Sequence, residues 1–99
     1  MITYNNTTLK KLIEILEQSL YKVRFEKGTF NSGYAIVKEN KMIVVNKFLH
    51  MEMKINTLLE IMDLLNIEDK LLEPKLRKYY QQLIKNNILT NNKYKTEEE

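Results

Sequence analysis

The chain has no cysteine and no tryptophan, one histidine, one proline, one alanine and two glycines among its 99 residues. Without cysteine there can be no disulfide, no thiolate nucleophile and no zinc site built on Cys pairs. His50 alone leaves a structural zinc site short of ligands, because such sites typically take four Cys or His donors. No glycine-rich phosphate loop, dinucleotide fingerprint or nucleophile elbow occurs. Nor does any apolar run approach the roughly 18 to 20 residues that span a bilayer. The N-terminal MITYNNTTLKK lacks a basic segment followed by an apolar stretch and a small-residue cleavage site. These absences predict a cytoplasmic, non-enzymatic protein with no cofactor and no membrane partner. The Asn-x-Thr triplets at Asn5 and Asn6 then carry no meaning as glycosylation sites.

What is present has a globular composition: 43% hydrophobic and 29% charged residues lie far from the low-hydrophobicity balance of disorder. The length predicts a single α+β domain over 1–90, and the polar tail 91–99, with no core residue other than Tyr94, is expected to fray. Abundant Asn, Lys and Ile are the bias of AT-rich coding sequences and point to a bacterial source. The same bias empties the formal charge of +3 of meaning as a nucleic-acid signature. Charge is uneven, however: residues 1–50 carry eight Lys or Arg against four acids, and residues 51–99 eight against nine. The first half therefore holds a modest basic patch.

Leu9, Leu12, Ile13, Leu16 and Leu20 recur at the spacing of one helical face, predicting a helix over 8–20 capped by Thr7 or Thr8. Tyr21 to Glu26 alternates, with Tyr21, Val23 and Phe25 on one side and Lys22, Arg24 and Glu26 on the other, as a half-buried strand does. Residues 27–32 read as a loop anchored by Phe30. Ile55, Leu58, Leu59, Met62 and Leu65 mark a second helix over 51–65, with Asn66 as its stop. Pro74 suits a first helical turn, and Leu76, Tyr79, Tyr80, Leu83 and Ile84 continue a third helix over 74–87. The stretch 67–72 is either a separate turn or an irregular link.

Between the first two helices lies GYAIVKENKMIVVN, residues 33–46, a β-hairpin with apolar residues on both faces. A two-residue turn at Glu39-Asn40 sets Tyr34 opposite Val45, Ala35 opposite Val44, Ile36 opposite Ile43 and Val37 opposite Met42. Tyr34, Ile36, Ile43 and Val45 share one face; Ala35, Val37, Met42 and Val44 share the other. Small Ala35 suits close approach of a helix, so the Ala35 face is expected under the helices. The element order predicts three helices and a three-stranded antiparallel sheet, α-β-β-β-α-α.

Tyr34, Ile36, Ile43 and Val45 are then the candidate interface, since wetting four such side chains costs ~1.5 to 3 kcal/mol each. A homodimer through this face is the leading expectation. Arg24, Lys38, Lys41 and Lys47 form a candidate anion-binding set, and lysines flanking Tyr34 could hold single-stranded nucleic acid. A basic module for nucleic acid or another anionic ligand is the alternative. Arg24 draws attention because arginine is rare here and its fork binds carboxylate or phosphate in two places. His50, the Glu60/Asp63 pair and Tyr79-Tyr80 read as surface or core residues, with no nucleophile beside His50.

The stretch 41–64, KMIVVNKFLHMEMKINTLLEIMDL, resembles in layout the minimal zincin-like metallopeptidases of bacteria. In those, a strand ending in Asn leads into a helix carrying Thr-Leu-x-His-Glu-x-x-His; Asn46 and Thr57-Leu58 match that spacing. Glu60 and Leu64 stand at the two histidine positions and Ile61 at the catalytic glutamate, so the resemblance implies element order and no zinc chemistry. The chain as a whole is similar to small bacterial proteins of unknown function, which implies no activity.

Overall fold

The computed structural model describes residues 2–28, 33–65 and 67–89, in the order α1 (Asn6–Gln18), β1 (Lys22–Glu26), β2 (Tyr34–Val37), β3 (Met42–Asn46), α2 (Met51–Leu64), a 3-10 turn (Asp69–Leu71) and α3 (Pro74–Lys85). The expected anchor Phe30, the stop at Asn66 and the tail 91–99 lie outside the described residues.

Helix α1 begins two residues earlier than its apolar stripe suggests, because Asn5 rather than a threonine is the cap: its side chain accepts the Thr8 N–H at 2.9 Å. The helix stops at Gln18 because Leu20 turns left-handed, at φ 74°. The Tyr21 N–H then donates to the Leu16 carbonyl and the Leu20 N–H to that of Glu17, each at 3.0 Å. That is the Schellman arrangement, which satisfies the last carbonyls and usually takes glycine at the position Leu20 occupies. Helix α3 ends the same way with Asn87 at φ 62°, while Ile88 donates to Leu83 and Asn87 to Ile84. Pro74 opens α3 in its first turn, as expected.

The stretch 67–72 resolves into the 3-10 turn, held by Arg77. Its Nε donates to the Asp69 carbonyl at 3.0 Å, and its Nη2 to those of Leu72 at 3.0 Å and Lys70 at 3.2 Å. One guanidinium thereby supplies donors to three carbonyls of this segment, of which that of Asp69 also accepts the Leu72 N–H at 3.1 Å.

The fold class is α+β, but the sheet is mixed rather than antiparallel. Its strand order is β1-β3-β2, with β1 parallel to β3 and β2 antiparallel to it. β3, apolar on both faces like β2 but one residue longer, takes the centre, whereas β1 carries three charged residues on one side and suits an edge. The seven residues 27–33 reach about 23 Å when extended, more than twice the two strand spacings needed to pass over β3. Neighbours in the chain therefore need not be neighbours in the sheet.

The hairpin register is the expected one: Tyr34↔Val45, Ala35↔Val44, Ile36↔Ile43 and Val37↔Met42. Its turn differs. Lys41, at φ 50°, is the left-handed residue rather than Asn40, and its N–H donates to the Lys38 carbonyl at 3.2 Å, so four residues make the turn.

The core gathers on one side of this sheet. Ile43 and Val45 are fully buried with Leu12, Ile15 and Leu16 of α1 and Ile55, Leu58 and Ile61 of α2; Leu76, Tyr80 and Leu83 of α3 complete it. Val23, Phe25, Tyr34 and Ile36 pack against its margin. No helix among the described residues is long and apolar enough to cross a membrane.

Candidate functional site

The parallel pairing of β1 with β3 decides which sheet face is available. Val23 pairs with Ile43 and Phe25 with Val45, so the apolar side of β1 joins the face of Tyr34, Ile36, Ile43 and Val45. That face lies under α1 and α2: the Tyr34 hydroxyl donates to a Glu60 carboxylate oxygen on α2 at 2.8 Å, and Lys54 of α2 stands 5.5 Å from the centre of the Phe25 ring. The four residues expected as an interface are thus core or core margin. The helices cover this face, and the opposite assignment, made on the small size of Ala35, is corrected. A residue's size told less than the charges of β1, which shares the other face.

That other face is laid out in rows. Lys22, Met42 and Val37 form one row across the sheet, and Arg24, Val44 and Ala35 the next. Glu26 and Asn46 pair in the third. Ala35, Met42 and Val44 are half-buried and Val37 is exposed. The aliphatic stems of Lys22 and Arg24 border the apolar strip on one side, keeping their charged ends in water. Arg24 Nε lies 3.1 Å from a Glu26 carboxylate oxygen, with both side chains about half exposed. An ion pair so wet contributes ~0.2 to 1 kcal/mol.

The candidate anion-binding residues do not converge. Lys38 and Lys41 sit at the hairpin turn, and Lys41 Nζ stands 5.4 Å from the centre of the Tyr21 ring. Lys47 follows the far end of β3, about 17 Å along the strand, with its Nζ 5.3 Å from the Phe48 ring centre. Arg24 lies midway on the open face. Tyr34, the aromatic meant to stand among these lysines, points toward the helices instead. Its hydroxyl pKa is raised, first by the hydrogen bond to Glu60, then by burial and the Glu60 charge.

Glu60, at a zincin histidine position, thus partners a tyrosine, and among the described residues no group of three His, Asp or Glu side chains is placed to hold a metal. His50 caps α2 without a side-chain hydrogen bond to it. A separate cleft of about 280 Å³ separates the start of α1 from the end of α3, lined by Asn5, Thr8, Lys11, Tyr79, Gln82 and Asn86 among others. Burial raises the Tyr79 pKa, its hydrogen bond with Thr8 lowers it, and Lys11 Nζ lies 4.7 Å from its ring centre. No family, no curated protein and no solved structure matches this chain.

Proposed function

We propose that this protein is a non-enzymatic interaction domain that associates with a second copy of itself through the uncovered face of its sheet. The observation that carries the reading is the apolar strip Ala35, Val37, Met42 and Val44, which no described helix overlies. Two such sheets packed face to face would bury the strips against each other about 10 Å apart, as in a β-sandwich.

The test is solution mass by light scattering for the wild type and for Val44→Lys. Association that survives high salt in the wild type and is lost in a folded Val44→Lys supports the reading, because apolar burial resists salt. Val37→Lys, at the exposed end of the strip, serves as the second variant should the first fail to fold. Ile43→Lys, by contrast, places a charge in the core and is expected to unfold the chain rather than release a monomer.

A further inference from the structure

The uncovered face is small for the task assigned to it. Three strands of at most five residues span about 14 by 17 Å, whereas a stable dimer usually buries ~800 Å² on each partner. A second contact that enlarges the sheet would resolve this, and the outer edge of β1 is built for one.

The Lys22 N–H donates to the Lys41 carbonyl at 2.8 Å, and the Glu26 carbonyl accepts the Lys47 N–H at 3.0 Å. The even residues of β1 therefore turn their backbone groups toward β3, and alternation turns those of Val23 and Phe25 outward. Among the described residues β1 has no strand on that side. An open groove lies beside the first half of β1, where charged Glu17, Lys22 and Arg24 stand among apolar Leu20, Val23 and Met42, with Leu20 63% exposed. Unpaired strand edges are templates for another strand, and natural proteins usually guard them with charges that repel a copy of themselves.

Here the charges at the two ends of the strand do the reverse. β1 reads Lys-Val-Arg-Phe-Glu. When two copies lie antiparallel about Arg24, Lys22 of each stands opposite Glu26 of the other, twice over. In that register Val23 and Phe25 form the hydrogen-bonded pairs, with their side chains meeting on the helix side. This register leaves one like pair, Arg24 with Arg24 on the axis; a shift by two residues one way would set Lys22 against Arg24 in both copies, and the opposite shift pairs Arg24 with Glu26 but shortens the shared ladder and takes Lys22 beyond the end of the partner strand.

We infer that β1 is a self-recognition edge, pairing antiparallel with β1 of a second copy to make a continuous six-stranded sheet with twice the uncovered face. The inference deepens the proposed self-association and uses a different surface, so both contacts together build a tetramer. Screening weakens the edge contact, whereas the face contact persists in salt.

Since the chain has no cysteine, one introduced thiol reports on this edge alone. Arg24 meets its own counterpart across the axis, where Cα atoms of a non-hydrogen-bonded pair stand about 4.5 Å apart, within the roughly 4.4–6.8 Å that a disulfide spans. Across a face-to-face contact the same residues would be about 10 Å apart, too far to bridge. Arg24→Cys, made in the Val44→Lys background and oxidised, is expected to shift from the monomer band to a band of doubled mass on a non-reducing gel. Lys10→Cys on the outside of α1 is the control for random collision. The shift is expected to be lost when Lys22→Glu is added and restored when Glu26→Lys is added to that. Arg24→Cys that cross-links no more than the control overturns the edge contact, and leaves the face contact to be judged by mass alone.

Discussion

Removing the Arg77 guanidinium strips donors from three backbone carbonyls of the 3-10 turn, and a hydrogen bond from a charged group is worth ~1.5 to 3 kcal/mol when shielded from water. Because the side chain is partly exposed, Arg77→Ala is expected to cost about 2 kcal/mol in urea unfolding. Arg77→Lys should not recover it, since one ammonium cannot reproduce the fork. Arg24→Ala should cost less than about 1 kcal/mol, in keeping with its exposed ion pair. Sequence drew attention to Arg24 by its rarity, and Arg77 was equally rare. Nothing in the residues around Arg77 announced a turn whose carbonyls needed it. The tyrosines supply a second prediction at this scale. Tyr80 is buried, and burial first, then the charges of Asp69 and Asp63, raise its pKa above the ordinary value of 10.0; Tyr34 and Tyr79 are also raised. Above that pH the unfolded chain loses protons that the folded one retains, so stability is full below about pH 10 and falls as pH climbs through the raised values. Urea unfolding followed from pH 8 to 11 should show the decline, and Tyr80→Phe should reduce it; a decline unchanged in that variant would assign it elsewhere.

At the scale of elements, Leu20 occupies a left-handed position that costs a residue with a Cβ ~1 to 2 kcal/mol. Part of that is offset by the greater freedom glycine has when unfolded. Leu20→Gly is therefore expected to raise stability by about 1 kcal/mol, and thermal unfolding reads it as a midpoint higher by several degrees. A lowered midpoint would mean that the exposed leucine packs more than its accessibility indicates. The helices were legible because their apolar stripes are long and periodic, with errors of about two residues at each end where Asn5 and Leu20 make unadvertised caps. The hairpin register was legible too, since Val37 and Met42 close the same ladder whether two or four residues make the turn. The covered face was not. Both faces of the hairpin are apolar, so the hairpin alone is undecided; the deciding information sat in β1, whose charged side must face water. Reaching it required knowing that β1 pairs with β3, and a seven-residue link permits that crossover without signalling it.

For the whole molecule, the described helices lie on one side of a three-stranded sheet and none of them overlies the other, which has an apolar strip at its centre and the charged strand β1 at its edge. The same arrangement separates the lysines once grouped as an anion site and turns Tyr34 away from them. The basic-module alternative therefore loses the aromatic on which it relied. Self-association through the uncovered face is tested by solution mass measured over protein concentration in about 1 M salt, where the Debye length is near 3 Å and charge contacts are screened. The expected result is a mass above the 11.9 kDa of one chain that rises with concentration, and a folded Val44→Lys that stays at one chain under the same conditions. A wild type that remains at one chain at every concentration, or a Val44→Lys that associates as the wild type does, would contradict it.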